Sequence, residues 1–136
     1  MGDCPSPAAP WLDKARQDLV AGERMLAEPP VPAPACFHAQ QAAEKALKAV
    51  AAHAGAQDIP RVHSLLELAE LMESLGVEPA FSLEELAFLD PFAVHVRYPD
   101  LPEPEADVAT RAMELARAIV AWAESTAEPR TEPEEE

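Results

Sequence analysis

Glycine is scarce in this chain, and its glycines are never clustered. The sequence has four of them, at Gly2, Gly22, Gly55 and Gly76. The loops that hold nucleotide phosphates in P-loop and dinucleotide-binding folds need several glycines within a few residues. Both of these nucleotide-binding folds are therefore excluded.

Cysteine is also rare, and spacings typical of metal ligands are absent. Cys4 lies in a proline-rich leader and Cys36 lies near a predicted helix start, so we do not expect a disulfide framework. The sequence contains no Cys-x-x-Cys, no His-Glu-x-x-His and no repeated Glu-x-x-His pattern. We therefore expect no metal site and no other cofactor.

Basic residues are few relative to acidic ones. The chain has 10 Lys and Arg against 25 Asp and Glu, which gives a net charge of -15. Broad binding to nucleic acids depends on Lys and Arg displacing counterions from phosphates, so this class of function is disfavoured. Any site for an anion must be a local exception on an otherwise acidic chain.

Long apolar runs are missing as well. No uninterrupted apolar stretch approaches the roughly 18 residues that a membrane-spanning helix needs. No early basic region is followed by an apolar run and a cleavage site of small residues. We expect a cytoplasmic protein with no membrane partner.

The residues that are abundant favour helices. Alanine and leucine recur at three- and four-residue steps, and no strand-like alternation of useful length occurs. The sequence predicts an all-α fold, an up-and-down four-helix bundle with a fifth or short extra helix. We expect residues 1–10 to be a disordered leader, residues 11–125 the helical domain, and residues 126–136 an acidic disordered tail.

The predicted second helix is the centre of this pattern. It should run from about Ala35 to Ala54 and stop at Gly55, after a proline-rich connector at residues 28–34 that is not expected to be helical. Small side chains line one face, which allows neighbouring helices to approach closely. The opposite face is predicted to be polar and outward-facing, with Gln41, Glu44, Lys45 and Lys48.

Capping residues and prolines mark the other helix ends. Helix one is predicted to start at Trp11, and Ser64 begins a third helix that Gly76 ends. Ser82 opens a fourth helix with capping-box spacing, and Pro91 should distort it. The last helix carries an apolar stripe of Val108, Ala112, Leu115, Ile119 and Trp122.

Four histidines are spread over the predicted helices. His38 either faces a cleft with Gln41 and Lys45 or is a packed histidine held by one hydrogen bond. His53 is explained by the dipole at a helix C-terminus, and His63 by the start of helix three.

Two groups of cations are candidate anion ligands. Lys45 and Lys48 either bind phosphate one turn apart, or Glu44 pairs with Lys48 on a solvated face. Arg97 and Tyr98 together offer bidentate phosphate contact and base stacking. The alternative is that Arg97 pairs with Asp100 while Tyr98 packs on the bundle.

Several of these segments together resemble a known family. They are Trp11-x-x-x-Ala15-x-x-Asp18-Leu19, the run Cys36 to Ala49, His63-Ser64-Leu65 and Arg97-Tyr98-Pro99-Asp100. The combination is similar to stand-alone HEPN proteins, the "higher eukaryotes and prokaryotes nucleotide-binding" family, over roughly residues 10 to 124. The resemblance implies a helical bundle, a homodimer and frequent pairing with a small nucleotidyltransferase.

The resemblance also implies where ribonuclease activity would lie. Ribonuclease relatives carry an Arg followed four to six residues later by His. Here no His follows Arg97, and His95 precedes it. The general acid-base role is then unfilled, so no catalytic residue is assigned.

Three hypotheses follow. The first is a non-catalytic HEPN-type nucleotide-binding protein that acts with a small nucleotidyltransferase partner. Its site would use Arg97 on phosphate, Tyr98 for stacking, His95 for local hydrogen bonding, and Lys45 and Lys48 for positive field, with His38 beside them. The second is a metal-independent endoribonuclease toxin of a toxin-antitoxin pair, in which Arg97 meets His95 or His38 of a second copy on an RNA substrate. The third is a structural antitoxin or scaffold without a small ligand.

Overall fold

Helices make up the regular structure of this computed structural model, which describes residues 6–95 and 100–127. Within those residues there are six helical segments and no strand. The predicted all-α fold is confirmed, with the three longest helices supplemented by shorter ones. The helices are α1 (Ala9–Leu26), α2 (Pro32–His53), α3 (Leu65–Ser74), α4 (Leu83–Leu89), α5 (Phe92–His95) and α6 (Ala106–Ala127).

Helix α2 is the central element, and it contacts each of the other helices. Fully buried alanines lie on several sides of it, including Ala39, Ala42, Ala46 and Ala49. Because alanine side chains are small, helices can pack closely around the whole circumference of α2. The prediction of an outward polar face on this helix is therefore wrong for Glu44 and Lys48, which are both buried.

The start of α2 also differs from the prediction. The helix begins at Pro32, so the prediction that the whole 28–34 segment is non-helical is wrong for its last three residues. Prolines are tolerated in a first turn because the first backbone N–H groups have no acceptor within the helix. The helix ends before Gly55, whose φ of 109° lies in the left-handed region that favours glycine.

Helices α1 and α6 are antiparallel neighbours that cover α2. Arg16 donates to Glu124 at 2.7 Å, and Arg117 pairs with Glu23 further along the two helices. Helix α1 begins at Ala9 rather than at Trp11, with Pro10 in its first turn. The predicted stripe of α6 is buried at Ala112 and Ile119, whereas Val108, Leu115 and Trp122 are only partly buried. The other buried residues of α6 are mostly alanines that flank this stripe.

The two shorter helices α3 and α4 start as their sequences predict. The Ser64 hydroxyl accepts from the Glu67 amide at 3.3 Å, and Ser82 forms a complete capping box with Glu85. Asp90, at the break between α4 and α5, ties these elements to α3 by accepting from the Leu65 amide at 2.7 Å.

Several predicted features fall outside the described residues. These are Arg97, Tyr98, the side chain of His95, the first five residues of the predicted leader and residues 128–136 of the predicted tail. None of the described helices combines the length and the apolar composition that a membrane-spanning helix needs.

Candidate functional site

Two buried carboxylates organise the polar interior of the bundle. Asp18 comes from α1 and Glu44 from α2, and each contacts one lysine and one histidine. We call Asp18, His38 and Lys45 the Asp18 cluster, and Glu44, Lys48 and His63 the Glu44 cluster. Burying a carboxylate is costly unless it is paired and hydrogen-bonded, and both clusters meet that requirement.

The Asp18 cluster joins α1 to α2. His38 Nδ1 lies 2.9 Å from one Asp18 carboxylate oxygen, and Lys45 Nζ lies 2.7 Å from the other. The sequence pattern predicts that His38 and Lys45 lie together, but it does not identify Asp18 as their partner. A signal was present, because Asp18 is three residues after Ala15 and four before Gly22, on the buried face of α1.

The Glu44 cluster joins α2 to the segment before α3. Lys48 Nζ donates to Glu44 at 2.9 Å, and His63 Nδ1 lies 3.2 and 3.3 Å from the two carboxylate oxygens. The Trp11 ring centroid is 5.4 Å from the same ammonium group. The predicted Glu44–Lys48 pair therefore exists, but it lies in the interior rather than on a solvated face.

A chain of amides extends from this cluster. Gln40 Nε2 donates to the backbone carbonyl of His63 at 2.9 Å, and Gln41 Nε2 donates to Gln40 Oε1 at 2.7 Å. Beside these amides lies a cleft of about 120 Å³, which we call the α2–α5 cleft. It is lined by Phe37, Gln41, His63, Ala93 and Val94.

The charges of both clusters are largely cancelled internally. Each lysine ammonium faces a carboxylate at hydrogen-bond distance, so Lys45 and Lys48 are not the unpaired surface cations of the phosphate-binding hypothesis. Lys48 is buried, whereas the Lys45 side chain is 25% exposed. Of the predicted site residues, His38, Lys45 and Lys48 are therefore located on α2, whereas the side chains of Arg97, Tyr98 and His95 lie outside the described part of the chain.

Sequence reasoning missed the roles of Gln40 and His63. Gln40 is fully buried, and its position on the small-residue face of α2 was the available signal. No local signal predicted the contact of His63 with Glu44, because Glu44 lies 19 positions earlier in the chain.

Two other features of the described residues could carry chemistry, a metal site and the Cys36 thiol. In the part of the chain that the structure describes, no three His, Cys, Asp or Glu side chains are grouped so that they could hold a metal ion. Burial raises the pKa of the Cys36 thiol to about 11, which suppresses the nucleophilic thiolate at neutral pH.

Comparison with known proteins agrees with this architecture. The model of the HEPN domain family matches residues 8–126. The crystal structure of TT1696 from Thermus thermophilus is similar, with 32% sequence identity, a TM-score of 0.68 and coverage of 90% of this chain and 99% of that one. An archaeal HEPN homologue, ST0689, shares the fold at 23% identity and a TM-score of 0.67, with 91% and 100% of the two chains covered. No curated protein matches. The chain belongs to the HEPN domain family.

Proposed function

We propose that this chain is a non-catalytic HEPN-type protein that binds a nucleotide or a nucleotide-like anion, forms a homodimer and acts with a small nucleotidyltransferase. Membership of the HEPN family supports this proposal. The main structural support is the α2–α5 cleft, which brings polar side chains of α2 and His63 next to α5. In sequence, Arg97 and Tyr98 follow shortly after α5.

The contacts of the two lysines change the roles that we assign within this proposal. An ammonium group has three donors, so partly exposed Lys45 can bond Asp18 and still reach an anion. Lys48 is buried against Glu44. We therefore assign it a structural role beside the α2–α5 cleft. The main phosphate contact is therefore Arg97, with Tyr98 stacking on a base and His95 and His38 nearby.

Calorimetric titration with AMP, ADP and ATP tests the nucleotide site. We expect binding by the wild type and at least a roughly tenfold weaker affinity for Arg97→Ala, because a charge-assisted phosphate contact is lost. Arg24→Ala is the matched control, since Arg24 is an exposed arginine in the last turn of α1. No binding at millimolar nucleotide would refute the proposal, and equal binding by Arg97→Ala would refute the role that we assign to Arg97.

The homodimer and the partner need separate measurements. Sedimentation equilibrium should give twice the mass of a single chain. Coexpression with a nucleotidyltransferase encoded beside this gene should yield a complex that survives size-exclusion chromatography. A monomeric protein that forms no complex with this nucleotidyltransferase would contradict this part of the proposal.

One observation favours a second candidate function, a metal-independent endoribonuclease. The Asp18 carboxylate on His38 Nδ1 leaves Nε2 for proton transfer, as in carboxylate-oriented general bases. Cleavage of RNA in the presence of EDTA, lost in His38→Gln and in Arg97→Ala, would establish this function. RNA that stays intact with the wild type would exclude it.

A further inference from the structure

The α2–α5 cleft has the size and lining of a site for one flat ring. Its volume is about 120 Å³, and an apolar protein cavity of about 150 Å³ is known to hold benzene. Phe37 contributes an aromatic ring, and Ala93 and Val94 contribute apolar surface from α5. The other described residues of the lining, Gln41 and His63, are polar, so a ring with polar edge atoms suits the cleft better than benzene.

The hydrogen bonds around Gln41 determine which of its amide atoms is left for a ligand. A backbone carbonyl can only accept, so the Gln40 atom that contacts the His63 carbonyl must be its NH₂ group. Gln40 Oε1 is then the atom facing Gln41, and Gln41 must donate its own NH₂ group to it at 2.7 Å. With respect to the residues that the structure describes, the atom of the Gln41 amide left without a partner is therefore the acceptor Oε1.

The contact with Glu44 determines the tautomer of His63. Its Nδ1 lies 3.2 and 3.3 Å from the two oxygens of Glu44, a carboxylate that is already paired with Lys48. An ionised carboxylate only accepts hydrogen bonds, so the neutral imidazole carries its proton on Nδ1. His63 Nε2 is then a second acceptor among the residues that line the cleft.

We propose that the α2–α5 cleft binds the amino-bearing six-membered ring of a purine base, with the five-membered ring outside the cleft, and selects adenine or guanine over hypoxanthine. Two acceptors require a ligand edge rich in N–H donors, and an exocyclic amino group supplies two. Phe37 packs against the ring. This inference rests on the proposed function, because it assigns the base of the bound nucleotide to this cleft.

Titration of the full chain with AMP, GMP and IMP tests the inference, because IMP lacks the amino group of either other nucleotide. We expect the wild type to bind IMP about tenfold more weakly than AMP or GMP, since a ligand that leaves site acceptors unpaired is rejected. Gln41→Leu should abolish the difference. Gln17→Leu, the same change at an exposed position of α1, should preserve it.

A second variant guards against misfolding of Gln41→Leu. His63 is exposed, so His63→Phe keeps a ring at the cleft with little risk to folding, and it should also reduce the preference over IMP. Equal affinity of the wild type for all three nucleotides would overturn the base assignment while leaving the proposed function standing. If the wild type bound none of these nucleotides, both the base assignment and the proposed function would be overturned. If Arg97→Ala kept the wild-type affinity and still selected against IMP, only the role of Arg97 would be overturned.

Discussion

The buried Glu44–Lys48 pair gives the sharpest test of how this interior is held together. Lys48→Met keeps most of the aliphatic stem but removes the ammonium group that lies 2.9 Å from Glu44. The Glu44 and Lys48 side chains are 4% and 7% exposed, so the carboxylate would stay in the interior without its lysine. Removing one partner of a buried pair costs about 3–5 kcal/mol.

Two neighbouring groups adjust this figure. His63 lies 3.2 Å from the same carboxylate and compensates part of the loss, whereas the contact between Lys48 and the Trp11 ring adds about 0.5–1 kcal/mol to it. We expect Lys48→Met to lower the free energy of unfolding by about 3 kcal/mol. A domain with about 5–15 kcal/mol of stability remains folded after such a loss.

A double-mutant cycle separates the ion pair from packing. Glu44→Gln replaces the carboxylate by an amide that can still accept from His63, so the double variant with Lys48→Met contains no unpaired buried charge. We expect the double variant to lose about 1–2 kcal/mol, less than Lys48→Met alone, so the coupling energy is at least about 1–2 kcal/mol before the cost of Glu44→Gln is added to it. Urea unfolding followed by circular dichroism measures all four proteins.

The matched control is the pair formed by Glu23 and Arg117, whose side chains are 51% and 43% exposed. The same substitutions there should give a coupling energy below about 1 kcal/mol, because solvent screens exposed pairs. A coupling energy below about 0.5 kcal/mol for Glu44 and Lys48, or equal values in the two cycles, would refute the view that this pair is an interior contact.

Three further predictions concern the Cys36 thiol, the Ser82 helix cap and the hydrogen bonds that join Asp90 to the start of α3. Burial raises the pKa of Cys36 from 9.0 to about 11, so the thiol of the unfolded chain loses its proton at lower pH than the thiol of the folded chain. The neutral buried thiol therefore contributes its whole stabilisation below about pH 9, and this contribution is lost as the pH rises towards 11. The stability difference between wild type and Cys36→Ala should therefore fall by at most about 3 kcal/mol over this range, and a constant difference in urea unfolding would contradict it. Ser82→Ala should cost about 1 kcal/mol in thermal unfolding through loss of the capping box, whereas Ser74→Ala, near a helix C-terminus, should cost less; equal effects would count against the cap. Asp90→Ala removes the acceptor of the Ser64 hydroxyl and of the first amide of α3. It should lower the free energy of unfolding by about 1–3 kcal/mol and speed hydrogen exchange in α3. Unchanged exchange would show that these hydrogen bonds do not stabilise α3.

Local rules predicted the helix ends well where the deciding contact is short-range. The caps at Ser64 and Ser82 and the stops before Gly55 and Gly76 involve residues within a few positions of each other. The start of α2 was missed for an equally local reason. The prolines at its beginning break a helix in its interior, but a first turn accommodates them.

The candidate site was predicted only in part. The pattern pointed to His38, Lys45 and Lys48, and the structure locates all three on α2. Asp18, Gln40 and His63 belong to the segments that resemble the family, but the pattern did not predict their hydrogen bonds in the interior. Helical periodicity leads us to expect polar residues on a solvent-exposed face. This expectation fails for α2 because other helices surround it.

The sequence by itself determined an all-α chain, most of its helix ends and its likeness to the HEPN family, because periodicity, caps and motifs depend on nearby residues. Only the tertiary structure decided which polar groups meet. Asp18 reaches Lys45 across 27 positions and Glu44 reaches His63 across 19. Such contacts depend on how each helix is rotated against its neighbours, and the packing of the whole core sets that rotation.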